Sequence, residues 1–163
     1  MKKDSRIPIG IITKEKLNIF VPGTPRPQPR GRHGRGGHIY SNSSSNIKAW
    51  KSILIDYFLM TRLSGFQPIS TACVVDALFL FKNTKDKKHY EGQPHKCKPD
   101  RDNLDKAVLD CMVKSAILQD DCLAFDGRIT KLYTNGKTGV VITIKTVNHV
   151  FKLSKMKSPK YIL

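Results

Sequence analysis

Seven of the thirteen acidic residues in this chain fall between Asp100 and Asp126, although its 163 residues carry a formal net charge of +16. They begin in the run Lys98-Pro99-Asp100-Arg101-Asp102-Asn103-Leu104-Asp105-Lys106, continue at Asp110 and reach Asp120-Asp121. Carboxylates crowded in this way repel one another unless a cation sits among them. A strongly basic surface draws in a polyanion. Together these two features point to metal-dependent chemistry on nucleic acid.

Some of these aspartates have structural explanations. Asp100 or Asp102, just ahead of a helix, suits an N-cap, and Asp105 in the first turn complements the helix dipole. A calcium-binding EF-hand loop starts in the same way, but Asp105 stands where that loop requires glycine and Cys111 where it requires glutamate. Capping does not explain Asp120-Asp121, which follow the apolar Ile117-Leu118 with no recognisable helix to cap. If this pair enters a strand beside the Asp102 helix, three or more carboxylates converge. Mg²⁺, a hard, oxygen-preferring ion, needs only one or two carboxylates with waters and a substrate phosphate. Lys106, one turn after Asp102, is placed either to offset charge on a phosphoryl transition state or to form an i,i+4 ion pair with Asp102 or Asp110.

Several other classes are disfavoured. Cys73, Cys97, Cys111 and Cys122 form no C-x-x-C pair, so zinc finds at most half a site at His95 and Cys97. No uninterrupted apolar run approaches the ~20 residues of a membrane span, and no apolar signal segment follows the basic N-terminus. Charge is also segregated. From Lys16 to Ile55 and from Gly127 to Leu163 there is no acidic residue, so basic segments flank the acidic island on both sides.

The elements that must position the acids follow from periodicity and turn chemistry. Leu17–Val21 reads as a strand ending at Pro22-Gly23. Gly23–Gly37, rich in arginine, glycine and proline, reads as an exposed loop whose Arg26, Arg30, Arg32 and Arg35 suit a phosphate-gripping flap. His38–Ser41 is a short strand. The serines at 43–45 cap a helix from about Asn46 to Leu63, with Ile47, Trp50, Ile53, Leu54, Tyr57 and Phe58 on its core face. Ala72–Phe81 is a central strand, and residues 82–99 form a long polar loop. Asp102–Ser115 is helical, with Leu104, Ala107, Val108, Cys111 and Met112 buried and Asp102, Lys106 and Asp110 on another face. A hairpin is predicted to close the domain, with strands Leu123–Tyr133 and Gly139–Val147 about a turn at Asn135-Gly136.

The pattern Pro99-Asp100-x-Asp102-Asn103-Leu104-x-Lys106, then Asp110, then Leu118-x-Asp120-Asp121, resembles the RusA-type Holliday-junction resolvases of bacteria and their phages. The spacing of nineteen residues from Asp102 to Asp121, the Gly23-x-Pro25 start, the arginine-rich loop and His38–Ser41 are similar too. The resemblance covers about residues 17–147. It implies a single small α+β domain, a mixed sheet flanked by helices, acting as a homodimer; outside it, residues 1–16 read as an N-terminal arm and 148–163 as a basic tail without a family counterpart. The resemblance further implies a Mg²⁺-dependent (Mn²⁺ possible) endonuclease that resolves four-way DNA junctions by paired nicks in recombination and repair. Asp100, Asp102 and Asp121 with adjacent Asp120 would hold metal, and Lys106 would join Asp100, Asp102 and Asp121 in catalysis. Arg26, Arg30, Arg32, Arg35, Lys96, Lys98 and Arg101 are the expected DNA contacts, and a cytoplasmic location in a bacterium or phage-infected host is expected, with no membrane partner. The residues also admit a non-catalytic basic DNA-binding protein, or a metal nuclease acting on flap or RNA substrates.

Overall fold

A computed structural model describes residues 10–13, 16–29, 31–33, 39–41, 44–83 and 89–147. At its centre is β5 (Cys73–Lys82), whose ten residues alternate between buried and half-buried almost throughout. A strand this apolar needs hydrogen-bonding neighbours on both edges. On one edge it pairs antiparallel with β8 (Gly139–Thr146), which in turn pairs with β2 (Lys16–Pro22) and then β1 (Gly10–Thr13). On the other edge two strands follow in succession, β6 (Ala124–Asp126) and β7 (Ile129–Thr134), both parallel to β5. Six strands therefore fill five positions of a mixed sheet.

The register stacks apolar residues in rows. Leu17, Ile144 and Val75 lie side by side, as do Ile19, Ile142 and Ala77, and Val21, Val140 and Phe79. All nine are buried. Helices α1 (Ser45–Leu63) and α2 (Arg101–Lys114) pack against each other and cover this face. α1 contributes Trp50, Leu54 and Phe58, and α2 contributes Leu104, Ala107, Val108, Cys111 and Met112. The mixed sheet and both helices agree with the expected α+β class. The helices share one core instead of taking opposite faces. None among the described residues is long and apolar enough to cross a membrane.

Three local expectations need correction. The closing hairpin does not form, because β5 lies between β7 and β8. The Asn135-Gly136 turn carries the chain across the end of β5, where Lys82 Nζ donates to Asn135 O at 3.3 Å and Asn83 N to Thr134 O at 3.0 Å. The arginine-rich loop is not wholly irregular: β3 (Gly31–His33) pairs with β4 (Ile39–Ser41) as a separate ribbon, and Pro25 is buried. Ser44 occupies the N-cap of α1, but its side chain makes no capping hydrogen bond. Arg30, Arg35 and the tail from residue 148 lie outside the described residues, and of Arg32 only the backbone position in β3 is described.

The polar loop after β5 is held by aromatic stacking. His95 lies between Phe81, at 4.1 Å between ring centres, and Tyr133, at 4.7 Å, while His89 stacks on Tyr133 at 4.0 Å. Burial, reinforced by the nearby Lys131 charge, holds the His95 imidazole below its ordinary pKa. The four cysteines are unpaired. Burial pushes the Cys73 and Cys111 thiols up, which makes them core residues and poor nucleophiles.

Two predictions follow from this packing. A Cβ at Gly127 would sit 2.0 Å from Val75 O, whereas at Gly136 the nearest atom is the Thr134 hydroxyl at 3.4 Å. Gly127→Ala should therefore cost at least about 2 kcal/mol in urea unfolding, and Gly136→Ala less than about 1 kcal/mol. The second concerns pH. Since folding lowers the His95 pKa, the unfolded chain takes up that proton first, so this contribution is full above pH about 6.5 and is lost as pH falls below it towards the lower folded pKa. The urea midpoint should drop more between pH 7.5 and 5.5 in the wild type than in His95→Phe, which keeps the stack but cannot titrate.

Candidate active site

Asp100 is the N-cap residue of α2, with extended backbone (φ −69°, ψ 146°), and its carboxylate makes no capping hydrogen bond. The capping role that its position suggested is not taken up by the side chain; Asp100 O only accepts the first bond of the helix, from Leu104 N at 3.2 Å. The Lys98–Pro99 peptide bond just before it is cis. Asp100 lines a cleft of about 800 Å³ with Lys98, Pro99 and Asn103 on one wall and residues 24–29 on the other. Gln28 N donates to Asn103 O at 2.7 Å and pins this loop to the start of α2. Upstream, Gly23 (φ 142°) passes so close over the Trp50 ring that a Cβ would lie 2.8 Å from it. Two of the expected DNA contacts, Arg26 and Lys98, thus share a cleft with Asp100. Lys96 and Arg101 are exposed outside it.

One turn separates successive members of the second group. Asp102 and Lys106 are exposed on α2, and Asp110 follows half-buried at the same spacing. Lys106 Nζ lies 3.3 Å from Asp110 Oδ1 and 3.9 Å from Asp121 Oδ2, while Lys51 Nζ from α1 lies 4.0 Å from Asp110 Oδ2. The segment after α2 therefore returns along the helix and brings Asp121 against its acid–lysine face.

Asp120 has a role that sequence reasoning missed. Its Oδ1 accepts from Cys122 N at 2.9 Å and caps a short 3₁₀ turn at Asp121–Leu123. That backbone hydrogen bond holds its carboxyl below the ordinary range. A three-residue 3₁₀ turn leaves no periodic signature, so only its Asp-x-Cys position could have hinted at the cap. Asp105 behaves differently from its neighbours: burial raises its pKa, with the Arg101 charge opposing. It faces a smaller cavity of about 290 Å³ shared with Asp126 and Gly127.

The predicted acids are brought to one helix but not into one closed cage. Asp100 lies with the 24–29 loop, and Asp121 meets Lys106 further along α2. Among the described residues, no three His, Cys, Asp or Glu side chains come together as a metal-binding group. The side chains themselves would suit a hard ion: Asp100, Asp102, Asp120 and Asp121 are all exposed carboxylates. Such an open set fits Mg²⁺, which keeps waters and takes substrate phosphate as ligands. It does not suit zinc, which prefers a closed nitrogen and sulfur site.

Lys131 on β7 was not singled out by any motif. Its Nζ donates to Cys97 O at 2.8 Å and to Pro99 O at 2.7 Å, across more than thirty residues of chain. No local spacing could have revealed this contact.

The family model described as Endodeoxyribonuclease RusA matches residues 22–145. That span runs from the last residue of β2 into the end of β8 and contains both acidic segments. A search of curated proteins finds no match to the chain. The fold, the acid–lysine face of α2 and this match over most of the chain lead to one assignment: the protein belongs to the RusA endodeoxyribonuclease family and is a hydrolase of DNA phosphodiesters.

Proposed function

We propose that the protein resolves four-way DNA junctions as a Mg²⁺-dependent homodimer, by paired nicks, in recombination and repair. Family membership implies Holliday-junction resolution and, in general, dependence on a divalent metal. The observation that carries the residue assignment is the approach of Asp121 to Lys106 at 3.9 Å, which joins the two acidic segments across α2.

In this reading Asp100, Asp102 and Asp121, with Asp120 beside them, would hold the ion. A bound divalent ion supplies Lewis-acid stabilisation of the phosphate. Arg26 and Lys98 grip the sugar-phosphate backbone along the cleft that leads to Asp100. Water attacks phosphorus in line with the leaving 3′ oxygen, and the Lys106 ammonium offsets the charge that develops on the phosphoryl oxygens. The products are a 5′-phosphate and a 3′-hydroxyl. A four-way junction has two-fold symmetry, so a two-fold dimer can present one site to each of two opposed strands.

The Lys106 ion pairs separate function from stability. Its side chain is 59% exposed, and exposed pairs contribute at most about 1 kcal/mol. Lys106→Met should therefore shift unfolding stability by less than about 1 kcal/mol while lowering single-turnover junction cleavage about 100-fold or more. Asp102→Asn should bind a four-way junction as the wild type does but lose cleavage by at least about 100-fold, since metal stabilisation of the transition state is worth several kcal/mol. If neither protein cuts and both bind equally, the chain is a binding module. Faster cutting of flap or RNA substrates than of junctions would instead redirect the substrate assignment.

Phosphate contacts also set a salt dependence. Arg26→Ala and Lys98→Ala should each reduce the slope of log affinity against log salt by about 0.9. An unchanged slope would remove these residues from the DNA interface.

A further inference from the structure

We infer that Lys131 is a positioning residue for the reaction: its ammonium clamps the backbone immediately before Asp100 and so determines where that carboxylate is delivered. This rests on the nuclease reading above, in which Asp100 is a metal ligand.

The long loop after β5 does not reach α2 unsupported. It first runs along the outer edge of β7 as an improvised strand. Gly92 N donates to Tyr133 O, Tyr133 N to Gln93 O and His95 N to Lys131 O, each at 2.9 Å. The ladder then stops short of the site. Pro99 has no N–H to donate, so at this residue the backbone can be held only through its carbonyl. Lys131 takes over with its side chain, donating to Cys97 O and Pro99 O at 2.8 and 2.7 Å. Bonds from a charged donor are about twice as strong as neutral ones.

Asp100 needs such a device. Its carboxylate makes no capping bond to α2, so the helix does not fix its orientation through the side chain. The start of α2 is held from the far side by Gln28 N bonding to Asn103 O at 2.7 Å. Lys131 supplies the near-side restraint, and Asp100 lies between the two. A lysine serving only as a phosphate contact would aim its donors at solvent, whereas two of the three N–H groups here are committed to carbonyls.

The test compares Lys131→Met, which keeps the aliphatic stem, with Lys131→Arg, which keeps donors. Single-turnover junction cleavage, junction binding without divalent metal, and amide hydrogen exchange are measured on each. Lys131→Met should lower the cleavage rate about 10–100-fold, the usual cost of losing a group that orients a metal ligand. Binding should change less than about twofold, and exchange should rise at residues 97–104 while the β2, β5 and β8 core stays protected. Lys131→Arg should recover most of the rate. Wild-type cleavage by Lys131→Met, equal losses of binding and cleavage, or global loss of protection would each overturn the inference. Wild-type protein that does not cut any junction would refute the nuclease reading instead, while exchange at residues 97–104 would still decide whether the clamp exists.

Discussion

Parallel pairing of β5 with β7 is the constraint on which the site depends. Two parallel strands cannot be joined by a tight turn, so the chain between them must cross the sheet. It does so through α2, whose apolar stripe is buried against the core. Burying that stripe turns Asp102 and Lys106 outward on the opposite face. The return from α2 to β6 must then run back along the helix, which is how Asp121 comes to meet Lys106. Acids separated in sequence are thus neighbours because of how a strand deep in the sheet satisfies its second edge.

The energetics of these charges argue against a structural purpose. Asp100, Asp102, Lys106, Asp120 and Asp121 are all exposed. Asp120 caps the 3₁₀ turn, and Lys106 pairs with Asp110 and Asp121. Exposed ion pairs add little to stability, while carboxylates crowded on one face repel one another. Holding an acidic island within a chain of net charge +16 makes sense if a cation and a polyanion meet there. In the proposed reading the basic surroundings draw in DNA, and the acids would give a divalent ion its place beside it.

Much of this was legible in the sequence, for identifiable reasons. The helices announced themselves through three- and four-residue spacing of residues such as Trp50, Leu54 and Phe58, and β5 through an apolar run broken only by Asp76. The acid motif was readable because its spacing is local to one helix and one following turn. What failed was partner choice. Asn135-Gly136 is a strong local hairpin signal, yet β7 and β8 each pair with β5, whose apolar side chains bury it in mid-sheet and leave two hydrogen-bonding edges to be filled. The short strand expected at His38–Ser41 is β4, but its partner β3 was hidden in a glycine- and arginine-rich segment without alternation. The Lys131 clamp joins residues too far apart in the chain for any motif to record.

The most direct measurement is anomalous scattering from crystals soaked with Mn²⁺. The expected result is a peak in each subunit contacted by carboxylate oxygens from both segments, Asp100 or Asp102 on one side and Asp121 on the other. A peak held by one segment alone, or seated elsewhere in protein that still cuts junctions, would contradict a shared site across α2.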